Sequence, residues 1–525
     1  MKRRGKYSLD LLLKSMTLML ILWMDVSASL CAQNRIDVTK HGVVSDGEVV
    51  NTKAIQQLID KESKKGGTTL VFPQGSYLTG SLVMKSNVNI YLEKGAVLLG
   101  STNPMDYEKI EMPGRPESPK KDDNSQMALL VAHKANHFTI SGKGTIDGQG
   151  RKLALNIDSL HHAGVLIDPK YNYRRHRPNE TARPKLVRFS QCNNVRLEGL
   201  TMKNSACWGL SFELCKKLVL ENLKIENRAY WNNDGMDISD CNNVVVNNCD
   251  VNSADDGICL KSYYPGYCND TIRITNCTIR SSASAIKFGT ASFGGFKNVT
   301  IDNIKVYDTF RSAIAIESVD GAIIENIEAS NIEAKNTGNA IFIRLGHRGG
   351  EKPGAIKNVY LHNIQVEIPF GRPDINYDMR GPAVGFFHNP IPSSITGIPG
   401  FQVENVKLEN IEVTCPGRAS KGMAYVPVSR LDQVPNNIKG YPEFTMFGEL
   451  PSWGMYVRHV NGIEMNNVKF SLTDTDYRPA FVFDQVEKLT IDKLTLPTTT
   501  GKSIILKETT KTKINETIED WCKQL

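Results

Sequence analysis

The chain has 525 residues, 40% of them hydrophobic and 23% charged, which suits an ordinary soluble globular protein with room for a large core. Its formal net charge of +7 is a mild basic excess that favours an acidic partner. The Lys and Arg residues form no concentrated run or basic helix, so nucleic acid is not expected as that partner.

Residues 1–32 read as a secretory signal peptide: a basic start in MKRRGK, an apolar stretch from Met16 to Met24, then small residues between Val26 and Ala32. That stretch is too short to span a bilayer, which weighs against a membrane anchor, and no later segment is apolar enough to be transmembrane. The expectation is a secreted or periplasmic chain whose residues 33–525 form a single domain. SASLC before Cys31 resembles a lipoprotein site only in part, because Leu30 stands where a small residue is wanted. Of the eleven cysteines, eight fall between Cys192 and Cys277. Export permits disulfides, yet NNCDV and GICLKS place cysteine in apolar alternation, where a buried thiol serves as a small hydrophobe. Zero or one bridge is expected, and without CxxC pairs or Cys/His clusters no structural zinc site is.

Asn51 to Ser63 is the one convincing helix near the mature N-terminus, with Ala54, Ile55, Leu58 and Ile59 on one face. From Asn193 a pattern close to N-V-x-Φ-x-N-Φ-x-Φ, with Φ apolar, recurs as NNVRLEGLTM, KKLVLENLKI, NNVVVNNCDV, DTIRITNCTI, KNVTIDNIKV and onward to EKLTIDKLTL at Glu487. From Asn193 to Gly321 the starts are about 23 to 28 residues apart, and no amphipathic helix separates them. Short strands at that period cannot bury their own faces and stack as coils of a parallel β-helix. A propeller needs about 40 residues per blade, and the leucine spacing of a leucine-rich repeat is absent. Asn at each bend tolerates left-handed backbone, and its copies can hydrogen-bond between coils. The N-terminal helix then caps the open end of the solenoid. Segments 369–403 and 416–460, rich in Pro and Gly, interrupt the repeat as loops lying over the coils.

A second element, x-[GA]-Φ-x-Φ-x, recurs in WGLSFE, DGMDIS, DGICLK, SAIKFG, SAIAIE and NAIFIR. Alternation turns its two Φ positions inward, so one outer strip reads Ser211, Asp237, Cys259, Lys287, Ala315 and Phe342, and the next Glu213, Ser239, Lys261, Gly289, Glu317 and Arg344. The turn before each strand carries Trp208, Asp234, Asp256, Ser284, Ser312 and Asn339. Coils lie about 4.8 Å apart, so Asp234, Asp255 and Asp256 converge, with Asp237 close behind. Like charges so close separate their pKa values, as general acid and base require. Turn capping or cation binding is the bland alternative, and it leaves Asp255 unexplained.

NNDG at Asn232–Gly235, DDG at Asp255–Gly257, RPKLVRFSQCNNVRLEGLTMKNSACWGL from Arg183, and GGTTLVFPQGSYLTG near the N-terminus together resemble glycoside hydrolase family 28, the polygalacturonases and their relatives. The resemblance covers nearly the whole mature chain. It implies a right-handed parallel β-helix, Asp256 as general acid, Asp234 and Asp255 activating water, and single displacement with inversion, without metal or cofactor. The chain departs from the family's pattern where its histidine would fall on Ser284, and where its Arg-Ile-Lys would fall on Ala315, Ile316 and Glu317. That argues against ordinary endo-polygalacturonase activity. Substrate recognition is therefore sought at Asn232, Asp237, Lys261, Ser284, Lys287, Glu317, Arg344, His347 and Arg348. Tyr441, Phe447, Trp453, Tyr456 and Arg458 in the second loop suit sugar stacking or uronate pairing, although core packing is the commoner role for such residues. The expected partner is a pectic oligo- or polysaccharide, met by a monomer, with exo attack favoured by loops walling one end. The competing readings are a pectate-lyase-type eliminase and a glycan-binding β-helix without catalysis.

Overall fold

A computed structural model describes residues 35–120, 124–373, 391–419, 427–498 and 501–525. The expected signal peptide and Cys31 lie outside the described residues, as do 374–390 and 420–426 of the two loops. Strands from Arg35 to Gln524 join one sheet, and every ladder between them is parallel. The sheet winds on itself as a parallel β-helix with the right-handed sense of parallel crossovers.

Each coil contributes to three rows. One contains Asn193–Glu198, Lys216–Glu221 and Asn242–Asn247, the next Thr201–Lys203, Lys224–Asn227 and Asp250–Ser253. The third contains Ala128–His133, Lys185–Ser190, Leu210–Glu213, Met236–Ser239, Ile258–Ser262 and Ile286–Ser292, and it carries the site. Later strands such as Gly295–Ser318 and Ile323–Leu345 run through the bends and serve more than one row.

The repeat's first apolar position forms an unbroken inner column: Val195, Leu218, Val244, Ile272, Val299, Ile327, Val359, Val406, Ile463 and Leu489 are register partners, each buried. Burying such a side chain stabilises the fold by about 1.5–3 kcal/mol. Outside, Asn298, Asn326, Asn358 and Asn405 form one hydrogen-bonded ladder, and Asn331, Asn363, Asn410 and Asn467 another, with spacings of 2.7–3.2 Å. All eight have φ between 52° and 58°, the left-handed backbone expected at the bends.

The capping helix spans Thr52–Lys64 and buries Ile55, Leu58 and Ile59. A second helix, Gly150–His162, was not expected; it buries Leu153, Ala154 and Ile157 between Thr145–Asp147 and the segment leading to Lys185. The ten described cysteines are free thiols, eight of them buried, and Cys215 N donates to Cys241 Sγ on the next coil at 3.3 Å. The loop boundaries need correction. Ser393–Thr396 inside 369–403 is a coil strand paired with Phe342–Arg344 and with Met455–Arg458, and the strand beginning at Met455 starts inside 416–460. The described remainder of the second loop packs onto the third row. Its Leu431, Val434, Phe444, Phe447 and Leu450 pack with Ala315, Phe342, Tyr456 and Val482. No helix among the described residues is long and apolar enough to cross a membrane.

Candidate active site

The turns entering the third row stack coil on coil. Gly235 N donates to Asp256 O, Gly257 N to Ser284 O and Ala285 N to Ser312 O, at 2.9–3.0 Å, so Asp234, Asp256, Ser284 and Ser312 form the expected turn column. The glycines after the two aspartates are required by this approach: a Cβ on Gly235 would lie 2.5 Å from Gly257 O, and one on Gly257 2.6 Å from Ala285 O. Asn233 is wholly buried and knits the two turns together. Its side chain bonds Tyr230 N, Ser205 O and Cys207 O, while its carbonyl accepts from Asp255 N at 3.1 Å.

The first outer strip has the predicted register, with Ser211, Asp237, Cys259, Lys287, Ala315 and Phe342 partnered in order. Along the second strip the ladder is irregular after Lys261, where Leu260 pairs Phe288 but Ser262 pairs Ser292. These strips do not project into solvent, because the loops cover them. Lys287 is 2% exposed and lies 3.1 Å from Asp256 Oδ2, whose other oxygen accepts Ser284 N at 3.2 Å. Lys261 Nζ lies 3.2 Å from Asp237 Oδ1 and 3.6 Å from Asp234 Oδ2, above the Trp208 ring at 4.7 Å. Both lysines thus neutralise the acidic floor.

This pairing splits the protonation of the carboxyl groups. Burial pushes Asp234 well above the usual carboxylate range, and Asp237 and Asp255 push it further. Burial lifts Asp237 to about 6 against the pull of Lys261. Burial would also raise Asp256, but Lys287, Lys261 and Arg311 outweigh it and hold that carboxyl below its ordinary range. Lys287 thus favours the ionised form of Asp256, and burial the protonated form of Asp234, which bears on the expected role of Asp256 as general acid.

The trio floors a cavity of about 630 Å³. One wall is the segment before Lys185, where Arg177 and Arg175 sit over the Trp231 ring at 3.9 and 5.6 Å. Arg311 and Glu443 form a 2.6 Å ion pair on the opposite wall, beside Tyr441. Burial opposes the charge on Arg311, but Glu443 and Tyr441, with Asp255 and Asp256 beyond, hold it above its usual value. The sequence reading missed Arg175, Arg177, Arg311 and Glu443. Arg311 stands immediately before SAIAIE, off both strips, and the Arg174–Arg177 run lies in a segment without repeat.

Of the expected binding residues, Asn232 and Lys261 line this cavity, Asn232 Oδ1 accepting from Arg183 Nη2 at 2.8 Å. Ser284 and Lys287 lie beneath it against Asp256, and Asp237 beneath Lys261. Glu317, Arg344, His347 and Arg348 do not line it, although Arg348 lies 5.9 Å over the Tyr441 ring and donates to Thr290 O at 3.3 Å, both of them lining residues. Glu317 is buried and pushed up to about 8 by that burial, with Lys287 opposing. Arg344 is a clamp, donating to Gly397 O, Asn436 O and Asn437 O and so tying the second loop down. Arg348 is engaged by Asp320 at 2.6 and 3.0 Å, and His347 Nε2 lies 3.3 Å from Gly350 O. Phe447, Trp453 and Tyr456 are buried in packing, and Arg458 pairs Asp484 at 3.3 Å; only Tyr441 of that group reaches the cavity.

A parallel β-helix with an aspartate-floored cleft on one sheet row defines a class of solenoid proteins built around an acidic groove. Within it the chain belongs to glycosyl hydrolases family 28, whose family model matches residues 73–370, more than half of its length. It is 25% identical over 350 residues to a probable polygalacturonase of Vitis vinifera, covering 66% of this chain and 63% of that one. It is 27% identical over 257 residues to an exo-poly-alpha-D-galacturonosidase of Dickeya chrysanthemi, covering 42% of this chain and 41% of that one. The chain thus spans less than two thirds of the length of either relative. Among solved structures, an exopolygalacturonase of Thermotoga maritima shares the fold at TM-score 0.56 and 19% identity, over 73% of this chain and 87% of its own. A family 28 exopolygalacturonase of Yersinia enterocolitica does so at TM-score 0.55 and 18% identity, over 93% and 79%.

Proposed function

We propose that this protein is an exported glycosidase that hydrolyses a uronate-containing pectic glycan, by inversion and from one end of the chain. The observation that carries the reading is the convergence of Asp234, Asp255 and Asp256 on one cleft floor, with the Asp234 carboxyl pushed up by burial and the Asp256 carboxyl held down by Lys287. Asp256 orients and deprotonates the attacking water, and Asp234, beside Asp255, supplies the proton to the leaving oxygen. Direct attack by water is favoured over a covalent intermediate because both oxygens of Asp256 are engaged, one by Lys287 and one by Ser284 N. So held, neither oxygen is free to approach the anomeric carbon, while each keeps a further lone pair to accept a hydrogen from water.

Cations on the walls suit an acidic sugar. Arg175, Arg177 and Arg311 stand where a substrate carboxylate would meet them, in place of the family's Arg and Lys replaced by Ala315 and Glu317. End-wise attack is supported by the packing over later coils, where Phe444 and Phe447 seal Ala315 and Phe342 beneath the second loop. Galacturonan and rhamnogalacturonan chemistries both fit these walls. An eliminase would need a free Lys or Arg base; Lys261 and Lys287 are paired with carboxylates, and Arg175 and Arg177 lie against the Trp231 ring. The exported state rests on residues 1–32 alone. The test is Asp256→Asn assayed on pectic oligosaccharides, with an expected loss of kcat of about 10²–10⁴-fold and no near-ultraviolet absorbance in the products. Full activity in that variant would sink the mechanism, and unsaturated products would select the eliminase.

A further inference from the structure

Two cavities of about 490 and 400 Å³ meet on the bend that leads from the third row into the first, sharing Gly400, Gln402 and His459. They lie far from the aspartates. Cys259, Lys287, Ala315, Phe342, Ser394 and Tyr456 are successive register partners, so the coil of Tyr456 and His459 is five spacings, about 24 Å, along the axis from that of Asp256. The lining runs from Ala355 to Thr510. Lys357, Glu404, Asn461, Glu487 and Thr510 are partners in turn, so the joint groove crosses four spacings, about 19 Å, long enough for a short oligosaccharide. One wall is a tight hairpin of residues 398–401, in which Ile398 and Phe401 exchange two backbone hydrogen bonds of 2.9 Å. Gly397 lets it sit close, because a Cβ there would lie 2.5 Å from both His459 O and Phe401 O. The hairpin holds Phe401 at the rim, 43% exposed.

The floor is a column of polar bend residues. His459, Gln485 and Glu508 follow Arg458, Asp484 and Lys507, which are register partners, and have φ of 53°, 58° and 47°, so they stack coil on coil along the groove. His459 is buried with Nε2 3.4 Å from Asn436 Oδ1, and Gln485 Nε2 donates to Glu508 Oε2 at 2.8 Å. Burial, with Arg458 and Arg344 beside it, holds the imidazole down at about 4, so at neutral pH the ring offers one donor and one acceptor. Arg458 is committed to Val434 O at 2.8 Å and to Asp484 at 3.3 Å. Among the described residues, the other charged groups of the lining are Glu404, Glu487 and Glu508. A lining with this excess of carboxylates repels a uronate. Amide, imidazole and carboxylate groups nevertheless bond sugar hydroxyls, and an exposed aromatic ring stacks on the C–H face of a sugar. The charge preference is the reverse of that on the arginine walls over Asp256.

We propose that this groove is a binding site for an uncharged oligosaccharide, separate from the aspartate cleft and independent of its chemistry. The experiment is calorimetry of the unmodified protein with two uncharged probes, linear galactotetraose and linear arabinotetraose. It is repeated on Phe401→Ala, on His459→Asn, which suits the left-handed bend, and on Arg177→Ala in the cleft wall. The site predicts that at least one tetraose binds at millimolar concentration, that Phe401→Ala weakens it about tenfold and His459→Asn about fivefold, and that Arg177→Ala leaves it unchanged. Binding of neither tetraose would overturn the site. So would binding that Phe401→Ala and His459→Asn both leave intact, and a loss in Arg177→Ala alone would place the uncharged sugar in the cleft instead. Turnover of pectic oligosaccharides, followed alongside, bears on the cleft alone, so either reading can fail without the other.

Discussion

At the scale of single residues, the site works by giving neighbouring carboxyl groups different partners. Asp256 has Lys287 at 3.1 Å, whereas Asp234 shares the more distant Lys261 with Asp237. Replacing Lys287 with methionine keeps the stem and removes the cation, so Asp256 loses its main support and its pKa rises. Because the proposed mechanism needs Asp256 ionised to activate water, the acidic limb of kcat/KM should move to higher pH, and a limb that stays in place would contradict the pairing. Glu317 gives a second test, through stability. Its pKa in the folded chain is raised from 4.5 to about 8, so the stability it contributes is complete below 4.5 and is lost as pH climbs toward 8. Relative to Glu317→Gln, the natural protein should therefore lose melting temperature across that interval, as thermal unfolding against pH would record. The aspartates were legible because they sit in a repeated frame. Their chemical roles were not, since the cations that decide them come from another coil and from turns outside the repeat.

At the scale of elements, the coil is the unit, and its bends are set by asparagine. Asn363 has φ of 53° and joins Asn331 to Asn410 in the ladder. Asn363→Ala would force an ordinary side chain into left-handed backbone and break both bonds, with an expected cost of about 1–2 kcal/mol in urea unfolding. No change on that substitution would mean that the ladder is ornamental. Repeated strands and the capping helix could be read directly, because each shows its own periodicity over enough residues. The helix Gly150–His162 and the strand Ser393–Thr396 could not: the first offers a short apolar face, and the second only Ile395 as an inward aliphatic side chain. Alternation gave the right register for the first strip, and for the second only as far as Lys261, and it gave the wrong exposure for both. Alternation says which way a side chain points, and only the loop's fold says whether anything covers it.

At the scale of the whole molecule, the β-helix supplies a straight rack and the loops turn one of its faces into a cleft. The segment carrying Arg175 and Arg177 and the segment carrying Tyr441 and Glu443 lie far apart in sequence, yet meet over the same carboxylates. Length, period and the two Asp-Gly turns were sufficient to place the aspartates on the row that carries that cavity. Wall chemistry depended on contacts between distant segments, which no local pattern encodes. The central claim is that water, oriented by an ionised Asp256, attacks the sugar directly. Proton NMR during the first turnovers of a pectic oligosaccharide tests it most directly: the account predicts that the new reducing end appears first with the anomeric configuration opposite to that of the bond cleaved. Initial release with the configuration retained would contradict it.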